Sequence, residues 1–285
     1  MEEIIMGNVS DVERVSNEIE EEGYRKLNND TPLENEEGVV TNVPLIAGYV
    51  DKNGVLHDTF SYREMDGTDE EALNKADVRV NGARMIYTLC ERCVVAIGSI
   101  QKKEVGMVEW SKIIRNMLTG DLDYMALKIR ALSIGNIITF QHQCPHCGKE
   151  LITEVNVEEL PIIPFKGMRE IDFELTRGYT DLKGNVCKTG TIHLPTGADR
   201  EAIVPFVRKN IATAYTVFLT RCAKFNEAGS ITQSQIAKMT VKDRNYLQSI
   251  LKDNAFGVDT AVNNLVCDSC GFSFDKEVGS SDFFS

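Results

Sequence analysis

With 285 residues, 42% of them apolar and 26% charged, the chain has material for one large or two ordinary domains, which excludes wholesale disorder. Its formal charge is -12, but residues 1–38 hold twelve Asp and Glu against Arg14, Arg25 and Lys26, so -9 sits in that arm and about -3 on the rest. A body so near neutral, with no Lys/Arg stripe, lacks the electrostatic footprint of a phosphate-backbone binder, and no nucleic-acid partner is expected.

No stretch approaches the roughly 18 to 20 consecutive apolar residues that cross a bilayer, so no membrane-spanning segment is expected. The first residues, MEEIIMGNVSD, are acidic where a signal peptide is basic, which points to synthesis in a cytoplasm. In that compartment the CxxC grouping among the eight cysteines reads as metal ligation or redox chemistry and not as disulfides.

In chain order, residues 1–40 form the acidic arm, where Val12, Val15, Ile19 and Leu27 fall on one side of a helix that would order on docking to another protein, or else a solvated tail. Strands at Leu45–Tyr49 and Val55–Tyr62 flank the turn Asp51-Lys52-Asn53-Gly54. Thr68 is placed to cap a helix with an acidic first turn, followed by an apolar helix at Ala83–Ile97. Amphipathic segments at Val108–Met117 and Asp121–Leu132 lead to strands at Asn136–Gln141 and Leu151–Val155, which enclose Cys144-Pro-His-Cys147-Gly148. The same order then recurs. Strands at Phe173–Gly178 and Thr189–Leu194 surround Asp181 to Gly184, and Thr196 stands at a helix start. Helical segments follow at Thr213–Phe225, Ser234–Met239 and Asp243–Leu251. Strands at Asn264–Val266 and Phe272–Phe274 enclose Cys267-Asp-Ser-Cys270-Gly271. The two terminal aromatics, Phe283 and Phe284, would pack back on the second half or insert into a neighbour.

The recurrence is also one of residues. Gly48, Tyr49, Asp51 and Gly54 match Gly178, Tyr179, Asp181 and Gly184, while Gly67, Asp69, Glu71 and Ala72 match Gly197, Asp199, Glu201 and Ala202. Arg79, Asn81, Arg92 and Cys93 match Arg208, Asn210, Arg221 and Cys222. Ile114, Met117, Asp121 and Tyr124 match Ile236, Met239, Asp243 and Tyr246 after a short insertion in the first copy near Gln101–Met107, and the cysteine pairs match last. Collinear matches of this kind indicate tandem duplication. The expected fold is α+β: two tandem repeats, 41–165 and 166–285, of a mostly helical domain with an N-terminal β-hairpin and a C-terminal CxxC knuckle hairpin.

Each knuckle has the spacing that lets two thiolates converge on one tetrahedral ion, and the Gly after the second Cys relaxes the tight turn. A structural zinc takes four ligands, so the simplest arrangement is one Zn²⁺ shared by Cys144, Cys147, Cys267 and Cys270, clamping the two halves together. The alternatives are completion of each pair by another subunit or by His142 or His146, a redox CxxC, and pairs without metal. Cys90 and Cys93, spaced alike but within an apolar helix, read as buried core cysteines. No hydrolase elbow, Walker loop, dinucleotide fingerprint or zincin motif is present, so no enzyme is expected. Structural roles suit the charged positions common to both copies. Asp51 and Asp181 belong to turns, and Asp69 and Asp199 to helix starts. Asp121 and Asp243 would cap helices, and Arg92 and Arg221 would bind an internal carboxylate or helix carbonyls.

Phe173-Glu-Leu-Thr-Arg-Gly-Tyr179 through Leu194-Pro-Thr-Gly-Ala-Asp-Arg-Glu201, Leu219-Thr-Arg-Cys222, Asp243-Arg-Asn-Tyr-Leu247 and the closing knuckle resemble the T-even-type baseplate hub assembly family of contractile-tailed bacteriophages. In the first copy, Gly120-Asp-Leu-Asp-Tyr-Met-Ala-Leu-Lys-Ile-Arg130 and the Cys-Pro-His-Cys-Gly knuckle carry the same likeness. The second knuckle lacks the Pro after its first Cys, and the acidic arm has no counterpart in that pattern. The resemblance implies a virion tail baseplate or assembly component that contacts hub, tube or tape-measure proteins and performs no chemistry. A zinc-ribbon nucleic-acid-binding or transcription-associated factor is the competing reading, and the charge balance opposes it.

Overall fold

A computed structural model describes residues 38–278 apart from 182, 208 and 227–230. Residues 1–37 of the acidic arm, Arg208 and the terminal Phe283 and Phe284 lie outside the described residues, and Val39 and Val40, read as the end of the arm, already belong to the first strand. Among the described residues the architecture is mixed α+β, with 41% helix and 34% strand, so strand contributes more than a mostly helical body would have. The excess comes from strands longer than the alternation alone suggests and from short strands that continue directly from helices.

A four-stranded antiparallel sheet holds Val39–Val50, Leu56–Arg63, Val94–Ile97 and Ile100–Gln101 in that order. The helix expected over Ala83–Ile97 stops at Cys93, because the β-branched run Val94-Val95-Ala96-Ile97 leaves helical geometry at Val94 and pairs with Phe60, Ser61 and Tyr62. Thr213–Phe225 is corrected in the same way: the helix spans Ile211–Cys222, and Ala223–Phe225 joins Val186–His193 and Glu170–Thr180 in a three-stranded sheet. The side chain of Asn81 caps the first of these helices and Asn210 the second. The insertion expected near Gln101–Met107 contains a single helical turn, Lys102–Val105, which follows the last strand.

Asp66, not Thr68, caps the Gly67–Leu73 helix, accepting from the N–H groups of Thr68 and Asp69. Asp69 returns a bond to the Asp66 N–H, which makes a capping box with two carboxylates. The Asp turns are as read: Asp51 accepts from Asn53 and Val55, and Asp181 from Lys183 and Asn185.

Two hydrophobic cores form. Trp110, Leu89, Ile97, Ile114, Met125 and Ile129 are fully buried in the first, and Leu219, Ile192, Cys187, Ile236 and Leu247 in the second. They interlock. Val278 packs in the first core, while Ala47 and Leu118 pack in the second. Ile162–Ile163 pairs with Gly257–Val258, and Arg169 donates to the carbonyls of Ala47 and Gly48 at 2.5 and 2.9 Å. Arg200 to Asp123 and Arg84 to Glu201 add ion pairs along the same seam.

Gly120, near the start of the Thr119–Ile134 helix, is where this seam is tightest: a Cβ there would lie 2.4 Å from the Phe256 carbonyl oxygen and 2.7 Å from its ring. Gly120→Ala is expected to cost about 1–3 kcal/mol in a denaturant titration, the usual cost of overpacking. Gly67→Ala, where a Cβ meets nothing within 4 Å, serves as the control and should be close to neutral.

Candidate metal centre

Each cysteine pair sits at the turn of a two-stranded hairpin. Ile137–Gln143 pairs with Glu150–Asn156 in full register, and Ala261–Val266 pairs with Ser273–Glu277. The hairpin ladder closes at the knuckle itself: the Cys144 N–H donates to the Lys149 carbonyl at 2.8 Å and the Cys267 N–H to that of Phe272 at 2.9 Å. A tighter turn nests inside, with Gly148 donating to the Cys144 carbonyl and Gly271 to that of Cys267. Gly148 and Gly271 take φ of 74° and 71°, the left-handed region open to Gly without steric cost, which explains the residue after each second Cys.

The two turns face each other within one chain. Cys144 Sγ lies 3.8 Å from Cys270 Sγ, and Cys147 Sγ lies 3.7 Å from Cys267 Sγ, with all four sulfurs inside 4.8 Å of one another. Disulfide sulfurs stand about 2.05 Å apart, so these are separate thiols. A tetrahedron with metal–sulfur bonds of about 2.3 Å has edges of about 3.8 Å, so the cluster is compatible with a metal site. The first cysteine of each pair is buried and the second exposed.

Contacts across the pair support this approach. Lys149 places its ammonium 2.8 Å from both carboxylate oxygens of Asp268, which stands where the second knuckle lacks Pro. The His146 ring stacks on Phe272 with centroids 5.2 Å apart, and His142 meets Phe274 edge-on at 5.6 Å. His142 Nε2 is bound to the Thr153 hydroxyl at 2.8 Å, and the sulfurs that lie within 4.8 Å of one another form a group that includes neither histidine.

The electrostatics favour a cation. Burial raises the Cys144 thiol, but the N–H groups of Cys147 and His146 outweigh it and, with the neighbouring thiols, bring it down to about 7. At Cys270 the Phe272 N–H favours the thiolate, yet burial and then the other three thiols push it up to about 12. Four like charges cannot share this volume alone; a divalent ion would remove the conflict and hold all four as thiolates.

The other charged positions are structural. Asp69 is fully buried and bound by Arg63 at 2.6 Å and Arg92 at 2.6 Å, and Asp199 is bound by Arg221 at 2.8 Å. Burial opposes the charge of Asp69, but Arg63, the Asp66 N–H and Arg92 together hold the carboxyl well below its usual range. Thus Arg92 and Arg221 each bind an internal carboxylate. Asp121 and Asp243 are corrected: they cap no helix but reach a strand bulge. Asp121 accepts from the N–H groups of Ile46 and Ala47, and Asp243 from those of Thr176, Arg177 and Gly178. Thr240 caps the helix that Asp243 belongs to.

Cys90 and Cys93 are fully buried, and burial raises both thiols, Cys93 to about 12, so neither is a ready nucleophile. A second close group, His193, Asp199 and Cys222, has no ligand-like spacing in the sequence, since Cys222 joins the other two only through the fold. Its Asp199 is already used by Arg221 and by the N–H and hydroxyl of Thr196, and both His193 nitrogens face carbonyl oxygens, of Leu194 and Arg221. That arrangement is a hydrogen-bond network and not a set of vacant ligands.

Residues 56–190 match the family described as T4 bacteriophage base plate protein. The matched stretch is just under half of the chain. It contains the first knuckle and ends within the first hairpin of the second half. The match supports a phage baseplate protein. A search of curated proteins and one of solved structures return no match. Among the described residues, no helix is long and apolar enough to cross a membrane.

Proposed function

We infer that the chain is a structural or assembly protein of the hub region of a phage tail baseplate, acting through protein surfaces and carrying out no catalysis. The observation that carries this reading is the family match over residues 56–190, and the resemblance of both halves to a baseplate hub assembly family supports the finer position. Its neighbours would be hub, tube or tape-measure proteins.

Within this reading the chain is a tandem duplication, with halves at 41–165 and 166–285 after an acidic arm at 1–40. Paired features support it: the Asp51 and Asp181 turns, the Asn81 and Asn210 caps, the Asp69–Arg92 and Asp199–Arg221 pairs, and the Asp121 and Asp243 carboxylates on strand bulges. A single structural Zn²⁺ on Cys144, Cys147, Cys267 and Cys270 then joins homologous corners of the two halves. The sulfur spacing and the soft all-thiolate donor set support zinc over a hard, oxygen-seeking ion.

The test is fractionation of particles from a phage that encodes the chain. Mass spectrometry should find the chain in baseplates or in baseplate assembly intermediates, and infection without it should yield no complete baseplates. Normal tails formed in its absence would sink the reading. The purified full chain should hold one zinc per monomer by elemental analysis.

A further inference from the structure

We propose that the groove between the first sheet and the Lys102–Val105 turn is the docking site of the chain's own acidic arm. The groove encloses about 790 Å³ and is lined by Val39, Asn42, Val95, Lys102, Lys103 and Met107 among others, with no carboxylate among its described lining residues.

Position selects the arm. The described chain begins at Gly38, and Val39, the next residue, already forms part of the groove wall. Glu34, Glu36 and Glu37 lie within four residues of Gly38, so their backbone can stand no further than about 14 Å from it. No linker is needed to bring them to the two lysines.

Charge selects it as well. Arg63 and Arg92 stand close to Lys102 with the half-buried Glu91, and the buried carboxylate Asp69 already binds both guanidinium groups, so cations outnumber the free carboxylates around Lys102. Lys102 donates to the Arg92 carbonyl at 2.7 Å, and burial, followed by the charge of Arg63, holds its ammonium below the usual lysine range. The exposed Lys103 extends this cationic patch on a body that is otherwise near neutral, and the arm carries nine negative charges in excess. Apolar groups complete the fit: Met107 and Val108 are 55% and 75% exposed at the groove's end, and the arm offers Val12, Val15, Ile19 and Leu27 at helical spacing.

The experiment uses the full chain and zero-length carbodiimide cross-linking, with a mixture of light and ¹⁵N-labelled protein to separate bonds within and between chains. Cross-links from Lys102 or Lys103 to Glu34–Glu37 and to acids between Glu13 and Glu22 are expected within single chains. Amide exchange over residues 101–107 should quicken at least several-fold in Lys103→Glu and in 1 M salt. It should slow again when Lys103→Glu is combined with Glu34→Lys, Glu36→Lys and Glu37→Lys. Zinc content serves as the check that these surface variants fold. Exchange over 101–107 that ignores both salt and Lys103→Glu overturns the proposal. Cross-links found only between light and heavy chains overturn it too, by making a second copy the occupant.

Discussion

Cys147→Ser and Cys270→Ser are expected to lower bound metal from one ion per chain to near zero, and by equal measure. In the proposed tetrathiolate each variant deletes one of four equivalent bonds, and a buried thiolate that loses its ion also loses its compensation. If free zinc stands near 1,000 times its dissociation constant, binding contributes about 4 kcal/mol to stability, so either variant, or chelation of the parent, should lose about that much in thermal or denaturant unfolding. Lowering the pH should release the ion from the parent, because protons compete for all four sulfurs. If one Ser variant keeps its metal while the other loses it, the shared site is wrong.

Asp121 and Asp243 hold homologous bulges under the duplication reading, but Asn should affect them very differently. In Asp243 both oxygens are occupied, Oδ1 by Thr176 and Oδ2 by Arg177 and Gly178. An amide there must turn its NH2 toward at least the Thr176 N–H, and the unmet donors on both sides, with the lost charge on the other two bonds, should cost about 3 kcal/mol. In Asp121 the Ile46 and Ala47 N–H groups both bind Oδ1, and among the described residues the buried Oδ2 makes no hydrogen bond of normal geometry, with the Gly48 N–H only favouring the carboxylate more weakly. Burial raises that carboxyl to about 6, against the pull of the Ala47 and Ile46 N–H groups and of Arg169. The folded state therefore holds a proton that the unfolded chain releases near pH 4. Stability falls as pH rises from about 4 to 6, and the ionised group costs about 3 kcal/mol at neutral pH. Asp121→Asn should remove that slope and stay within about 1 kcal/mol of the parent at pH 7, since the relieved charge offsets the imperfectly matched amide. Asp243 runs the other way: three backbone N–H groups outweigh burial and hold it below the usual carboxylate range, so its contribution is lost on acidification. Chemical denaturation of both variants between pH 4 and 7 decides the matter; equal losses at pH 7 would refute the contrast.

Much of this arrangement was legible in the sequence because it is local. A CxxCG turn between strands, an Asp that closes a Gly-bearing turn and an Asn ahead of an apolar helix each act within a few residues. Helix ends were less legible: Val94–Ile97 and Ala223–Phe225 continue an apolar run without a break, and only a neighbouring strand decides that they extend. The partners of Asp121 and Asp243 lie 65 or more residues away, so a carboxylate near a helix start read as a cap. The Lys149–Asp268 bridge was out of reach for the same reason, since neither residue has meaning until the knuckles meet.

The exchange of Val278 for Ala47 and Leu118 between the two cores bears on when the protein can exist at all. A chain leaving the ribosome would have residues 41–165 in hand early, yet the first core lacks a buried residue supplied by the last part of the described chain. The nascent half must wait for Val278 and, under the zinc reading, for Cys267 and Cys270. A chain cut before Val278 would therefore expose an unfinished first core to proteases and, under the zinc reading, half a clasp.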